Sequence, residues 1–278
     1  MALNKLMNAP QRLVTAVITF ALCFCLLASP PSAARAQKNP KPEDVVERSI
    51  ISYYGARSVL YGVQRNGTLR ALIKFITPEG SREGKSVTKF IRKEKLAEDL
   101  LMIDLELPGT RYTIGFDGKE TWAIQDGEIQ KPAAEAVEAF RSAHEHGYEA
   151  LMRYKENGSK LEYVGMNKFG TLEMDIIDLI APSGARTRYE VSRRTGRIIY
   201  ANYEDNSASK SAPVKYRLYF KDFRLAQNTW IPYETQVFQD GKLIEERKLV
   251  EAVFNVQLEE KAFKAENANK PADAAIKP

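Results

Sequence analysis

The chain has two histidines, His144 and His146, with Glu145 between them and Glu149 close by. A helix turns about 100° per residue, so side chains two apart diverge by about 200° and cannot share one metal ion. They read as exposed histidines at a helix end, where the negative end of the dipole favours them. No metal site is expected. The cysteines, Cys23 and Cys25, lie in an apolar leader, so the rest of the chain offers no Cys–His nucleophile pair. A Ser-His-Asp triad has only the same two histidines to draw on. Carboxylate pairs such as Asp175 with Asp178, or Glu245 with Glu246, have the residue types of glycoside acid–base chemistry, as does Asp104. Among 36 acidic residues such pairs arise by chance. Asp175 falls among Glu173 and Ile177, against Leu172, Met174 and Ile176, and reads as part of a solvated sheet face. Thr195-Gly196 and Gly184 lack phosphate-loop spacing and read as hairpin turns. The expected catalytic set is empty, no cofactor is expected, and the chain is not expected to be an enzyme.

The elements that would carry any site are mostly strands. Pro42-Glu43-Asp44 starts a helix whose apolar positions Val45, Val46, Ser49, Ile50 and Tyr53 recur at helical spacing, and Gly55 ends it. Strand patterns then cover 58–65 and 69–76, joined by Asn66-Gly67 as a hairpin turn, because both residues tolerate positive φ. Asn66-Gly67-Thr68 and Asn157-Gly158-Ser159 also fit glycosylation sequons, but turn chemistry accounts for both. Further strands are expected at 86–91, 99–107, 112–116 and 121–125, separated by Pro108-Gly109, Asp117-Gly118 and Asp126-Gly127. A helical insertion follows: Pro132 in its first turn, 133–146 with Ala136, Val137, Phe140 and Ala143 on one face, Gly147 as a stop, then a short piece at 148–155. Strands resume at 161–169, 171–181, 187–192, 198–204, 214–225, 229–239 and 243–256.

Leu101, Ile103 and Leu105, then Tyr112, Ile114 and Phe116, then Trp122 and Ile124 alternate with polar residues on neighbouring strands. They read as one continuous apolar sheet face. Such a face must be covered by helices or a second sheet, or must line a cavity.

The N-terminus carries Lys5 and Arg12, an apolar run at 13–28, Pro30-Pro31 and Ala34-Arg35-Ala36. That order is a secretory signal peptide with cleavage expected after Ala36. The apolar run is shorter than the roughly 20 residues a helix needs to cross a bilayer. Neither cysteine is preceded by the small residue that lipoprotein processing requires, so no lipid anchor is expected. Cleavage removes both cysteines with Lys5, Arg12 and Arg35, which brings the charge, +5 for the whole chain, close to neutral. A nucleic-acid partner is therefore not expected. A chain without disulfides relies on its hydrophobic core, which its length allows. One domain over 37–265 is expected, followed by a polar, disordered tail at 266–278.

The C-terminal third reads Tyr189-Glu190-Val191-Ser192-Arg193-Arg194-Thr195-Gly196, then a strand at 216–224, Trp230-Ile231-Pro232-Tyr233, Asp240-Gly241, Asn255 and Phe263. With Phe116-Asp117-Gly118 and Trp122 earlier in the chain, this order resembles the outer-membrane lipoprotein-sorting carrier family, which has the LolA-like fold. The resemblance implies a mainly β, α+β protein: an incomplete antiparallel β-barrel of about eleven strands, with helices as a lid over an apolar cavity. It also implies a periplasmic carrier that binds acyl chains of a lipoprotein or lipid and delivers them toward an outer-membrane receptor. On that reading Leu101, Ile103, Leu105, Tyr112, Ile114, Phe116, Trp122 and Ile124 form the cavity wall, and Phe140 faces it from the lid. The family's lid-latching arginine maps onto no particular residue here. Related folds in envelope-stress sensing proteins imply an alternative, a sensor or scaffold whose sheet edge binds a protein.

Overall fold

The computed structural model describes residues 39–58, 64–205 and 213–268. The segment expected to be a signal peptide, residues 59–63 of the strand expected at 58–65, and the residues beyond Ala268 lie outside the described residues.

The first helix, α1 (Pro42–Tyr54), begins with Pro42, whose fixed φ suits a first turn, and with Glu43 and Asp44 at the positive end of the dipole. Gly55, at φ +73°, ends it and donates its N–H to the Ile51 carbonyl. Its inward face is Val45, Val46, Ser49, Ile50, Tyr53 and Tyr54.

A first meander follows: β1 (Asn66–Thr77), β2 (Gly80–Ile91), β3 (Leu100–Leu107), β4 (Thr110–Phe116), β5 (Thr121–Gln125) and β6 (Glu128–Gln130). Two helices interrupt it, α2 (Ala134–Glu145) and α3 (Tyr148–Met152). The second meander is β7 (Lys160–Phe169), β8 (Leu172–Ile180), β9 (Arg186–Ser192), β10 (Ile198–Asp205), β11 (Val214–Ala226), β12 (Thr229–Gln239) and β13 (Lys242–Phe254). The described residues form one 13-stranded antiparallel sheet in the order β6-β5-β4-β3-β2-β1-β13-β12-β11-β10-β9-β8-β7. The first strand thus pairs with the last at the middle of the sheet, and β6 and β7 are its two edges. The sheet is open, and α2 and α3 connect its edges.

Three apolar clusters hold the fold. The largest packs α1 and α3 against β8 to β11 through Ile50, Tyr53, Leu151, Ile177, Tyr189 and Leu218. The second joins Phe140 of α2 to Phe90, Leu101, Ile114, Ile231 and Phe254. The third comprises Ile91, Leu100, Met102, Trp122 and Ile124 under Phe263 and the short helix α4 (Ala265–Ala268).

Several sequence expectations are corrected. Asn66-Gly67 is not a hairpin turn but the start of β1, where Gly67 pairs with both Phe90 and Phe254. A Cβ there would meet Phe90, the Val253 carbonyl and Phe254 at 2.8–2.9 Å, so the glycine serves close approach. The strand expected at 58–65 is absent where described: residue 58 is helical, and Gln64 and Arg65 form a bend. Glu266 to Ala268, expected in a disordered tail, complete α4 on the sheet. The single apolar face also fails. Ile114 pairs with Ala123 and Gly115 with Trp122, so Trp122 and Ile124 point away from Leu101, Ile103 and Ile114. Trp122 Nε1–H donates to the Phe263 carbonyl at 2.8 Å.

Gly115 makes room for the Trp122 ring, against which a Cβ would collide. Gly→Ala in a strand normally stabilises by restricting the unfolded chain. Here overpacking wins, and Gly115→Ala is expected to cost about 1–3 kcal/mol. A lower urea midpoint, with a changed Trp fluorescence maximum, is the expected readout.

Candidate functional site

The inner face of the sheet and α2 enclose a hollow of about 730 Å³. Its floor comes from β11, β12 and β13: Leu218, Phe220, Ile231, Tyr233, Val237, Ile244 and Leu249, with Leu69, Phe90 and Phe254 beside them. Its roof is Ala134, Glu135, Glu138, Ala139, Ser142 and Ala143 of α2. These residues recur at helical spacing and are small or polar, so nothing large enters from above. A volume in this range suits a small-molecule or lipid site.

The wall residues expected from the sequence lie beside this hollow and not in its lining. Leu101, Ile114 and Phe140 are buried together, with Ile103, Tyr112 and Phe116 packed on them. Phe140 therefore fills the space over β3 and β4. Leu105 is half-buried on the same strand, and Trp122 and Ile124 lie on the opposite face. None of these residues lines the hollow, which lies instead over β11 to β13. The alternation of Ile231, Tyr233, Thr235 and Val237 was the available signal; only a strand register shows which side α2 leaves uncovered.

Buried ion pairs fix the helices to the loop after β2. Arg92 grips Glu149 of α3 with two N–H donors, at 2.9 and 2.5 Å, and its guanidinium covers the Phe90 ring at 4.6 Å. Arg153, with a fully buried side chain, donates to both Asp99 oxygens at 2.5 and 3.0 Å and to the Lys93 carbonyl at 2.8 Å. Burial alone would raise the Glu149 and Asp99 carboxyls. Arg92 overrides it for Glu149, and His144 and Arg153 override it for Asp99, so both lie below the ordinary range.

The histidines take structural partners. His144 Nε2 lies 3.2 Å from both Asp99 and the Leu96 carbonyl. His146 is 7% exposed, correcting its reading as a solvated helix end. Its ring stacks on Tyr203 at 3.8 Å, and Nδ1 meets the Thr187 hydroxyl at 2.6 Å. Asp175 and Asp178 are likewise not solvated, at 1% and 0% exposure. Three apart on a strand, they face opposite sides: Arg48 and Tyr163 hold Asp175, while Arg186 and Arg188 hold Asp178. They are separate buried ion pairs rather than a facing acid–base couple.

A second hollow, of about 950 Å³, is lined by Arg186, Arg188, Tyr200, Asn202, Arg217 and Tyr219. Its arginines are tied to Asp178 and Glu190. It is the larger but the more polar space, and its cations already have partners, so the apolar hollow under α2 is the stronger candidate.

No protein-family model and no curated protein matches the sequence. Solved structures do. A DUF1329 family protein from Desulfovibrio piger aligns at a TM-score of 0.57 and 12% identity, over 82% of this chain and 99% of that one. A LolA superfamily protein from Nitrosomonas europaea aligns at 0.55 and 8% identity, over 82% and 99%. A Vibrio parahaemolyticus structure, titled as a putative outer membrane lipoprotein-sorting protein domain, aligns at 0.57 and 13%, over 83% and 100%. At such identities the likeness shows the fold alone, and the fold is LolA-like.

Burial holds the His146 imidazole down at about 4, with Asp205 opposing. Unfolded, the ring takes up its proton near 6.5. Its contribution to stability is thus complete above about pH 6.5 and lost as pH falls toward 4, by about 3 kcal/mol in total. Urea unfolding at pH 7 and pH 5 is expected to show about 2 kcal/mol of this loss. His146→Gln, which keeps a partner for Thr187 but cannot be protonated, is expected to flatten it.

Proposed function

We propose that the mature chain is a periplasmic carrier, without enzymatic activity, that shelters acyl chains of a lipid or lipoprotein beneath α2 and passes them toward the outer membrane. The hollow carries this reading. Its floor is apolar, and Tyr233, Val237, Ile244 and Leu249 are only half-buried, which leaves apolar surface for an occupant to cover.

Burying a methylene contributes about 0.8 kcal/mol, so a tail of about 15 carbons gains about 12 kcal/mol before ordering costs. Capture is then easy and release needs a device. The helices supply one. α3 and the end of α2 are clamped by Glu149, Arg153 and His144, whereas Phe140 is the buried residue of α2. Lifting the start of α2 gives up the Phe140 contacts while the ion pairs stay intact.

One observation favours a second reading, a sensor or scaffold. The edge strand β7 exposes Val164, Met166 and Phe169, at 44, 52 and 78%, and an unpaired edge can accept a strand from a partner.

Native mass spectrometry of gently purified protein is expected to find bound acyl species, and Leu249→Arg is expected to lower affinity for them at least about tenfold, by placing a charge among the apolar side chains packed there. No acyl species after delipidation and re-exposure to envelope lipids removes the carrier reading. Crosslinking of a membrane protein through β7 in that case supports the second.

A further inference from the structure

The walls of the hollow are apolar, but its mouth is charged, and most of that charge is acidic. Glu135 and Glu138 stand on the edge of α2 that borders the hollow, and Asp205 and Glu245 line the facing strands. Among the described residues the lining holds no lysine and a single arginine, Arg247. That guanidinium is tied to Glu245 at 2.8 Å. Glu149, deeper in, is neutralised by Arg92. That leaves Glu135 and Glu138 of α2 as the acidic side chains an occupant's headgroup would meet. Burial pushes the nearby Tyr203 phenol up to about 12, against a hydrogen bond with Ser142 and with smaller additions from Tyr216, Asp205 and Glu245.

Resting on the carrier reading, we infer that the hollow selects an amphiphile with a cationic, amine-bearing headgroup and discriminates against anionic lipids. Tail burial is indifferent to headgroup sign, so affinity for an apolar chain and choice of headgroup are set by different residues. An ammonium at the mouth gains from Glu135 and Glu138, while a carboxylate or phosphate there meets like charge. Because the mouth is open to solvent, salt weakens the preference.

Displacement of the neutral fluorophore N-phenylnaphthylamine from the mature protein, with dodecylamine against laurate at about pH 7 and low salt, tests this. These competitors share a tail length and differ in head charge. Dodecylamine is expected to displace the probe at about tenfold lower concentration than laurate, and Glu135→Gln with Glu138→Gln to bring the two within about twofold. Both glutamates project from a helix surface, and an unchanged melting temperature shows that the variant is folded. Equal displacement by both competitors, a preference for laurate, or a tenfold preference that survives in the double variant overturns the headgroup assignment and leaves the carrier reading standing. A wild-type protein that takes up neither the fluorophore nor either competitor overturns the carrier reading, and this inference with it.

Discussion

Two buried arginines determine how the helical segment relates to the sheet. Arg153 loses all its hydration, and Asp99, whose oxygens it grips, together with the Lys93 and Glu94 carbonyls, repays that cost. Arg92 does the same against Glu149. Taking away one member of such a pair leaves a buried charge uncompensated, at about 3–5 kcal/mol, so α3 has one position relative to β2 and β3. α2 has no such fixture along its first half. Ala133 at its N-cap offers no side-chain hydrogen bond, and 12 residues are about the minimum for a helix with little tertiary support. The segment between the sheet edges is thus rigid at one end and soft at the other.

The hollow follows from where α2 rests. Phe140 leans toward β3 and β4 and completes a core there. The other side of the helix carries Ala139, Ala143 and Ser142, too short to reach β12. A single large residue at one of those positions would close the space. The space is the sum of a displaced helix and a run of small side chains, each ordinary alone.

Local signals made much of the architecture legible. Period-two alternation found the strands from β1 to β13 apart from β6, the Pro42 and Gly55 punctuation bounded α1, and small-residue helical spacing found α2. What local pattern could not supply was register. The turn at Asp117 closes with Glu120, pairs Phe116 with Thr121, and so sets Trp122 beside Gly115. Shifted by one residue, the tryptophan would have joined the inner face as expected. The buried charges were invisible for a related reason. Glu149 is 57 residues from Arg92 and Arg153 is 54 from Asp99, and until such partners are known each looks like a surface charge. His146 and Asp175 were misread in the same way.

The seam between β1 and β13 sets a timetable for the polypeptide. β1 has β2 on one flank and β13 on the other, so its second flank stays bare until the last strand arrives. Phe263, which shields Trp122, arrives later still. Ribosomes deliver the chain from its N-terminus, so every incomplete product presents a 12-residue strand edge open to unwanted pairing. Native closure spans almost the whole sequence, which makes for slow maturation. A protein assembled this way depends on remaining unpaired with its neighbours until its final residues emerge.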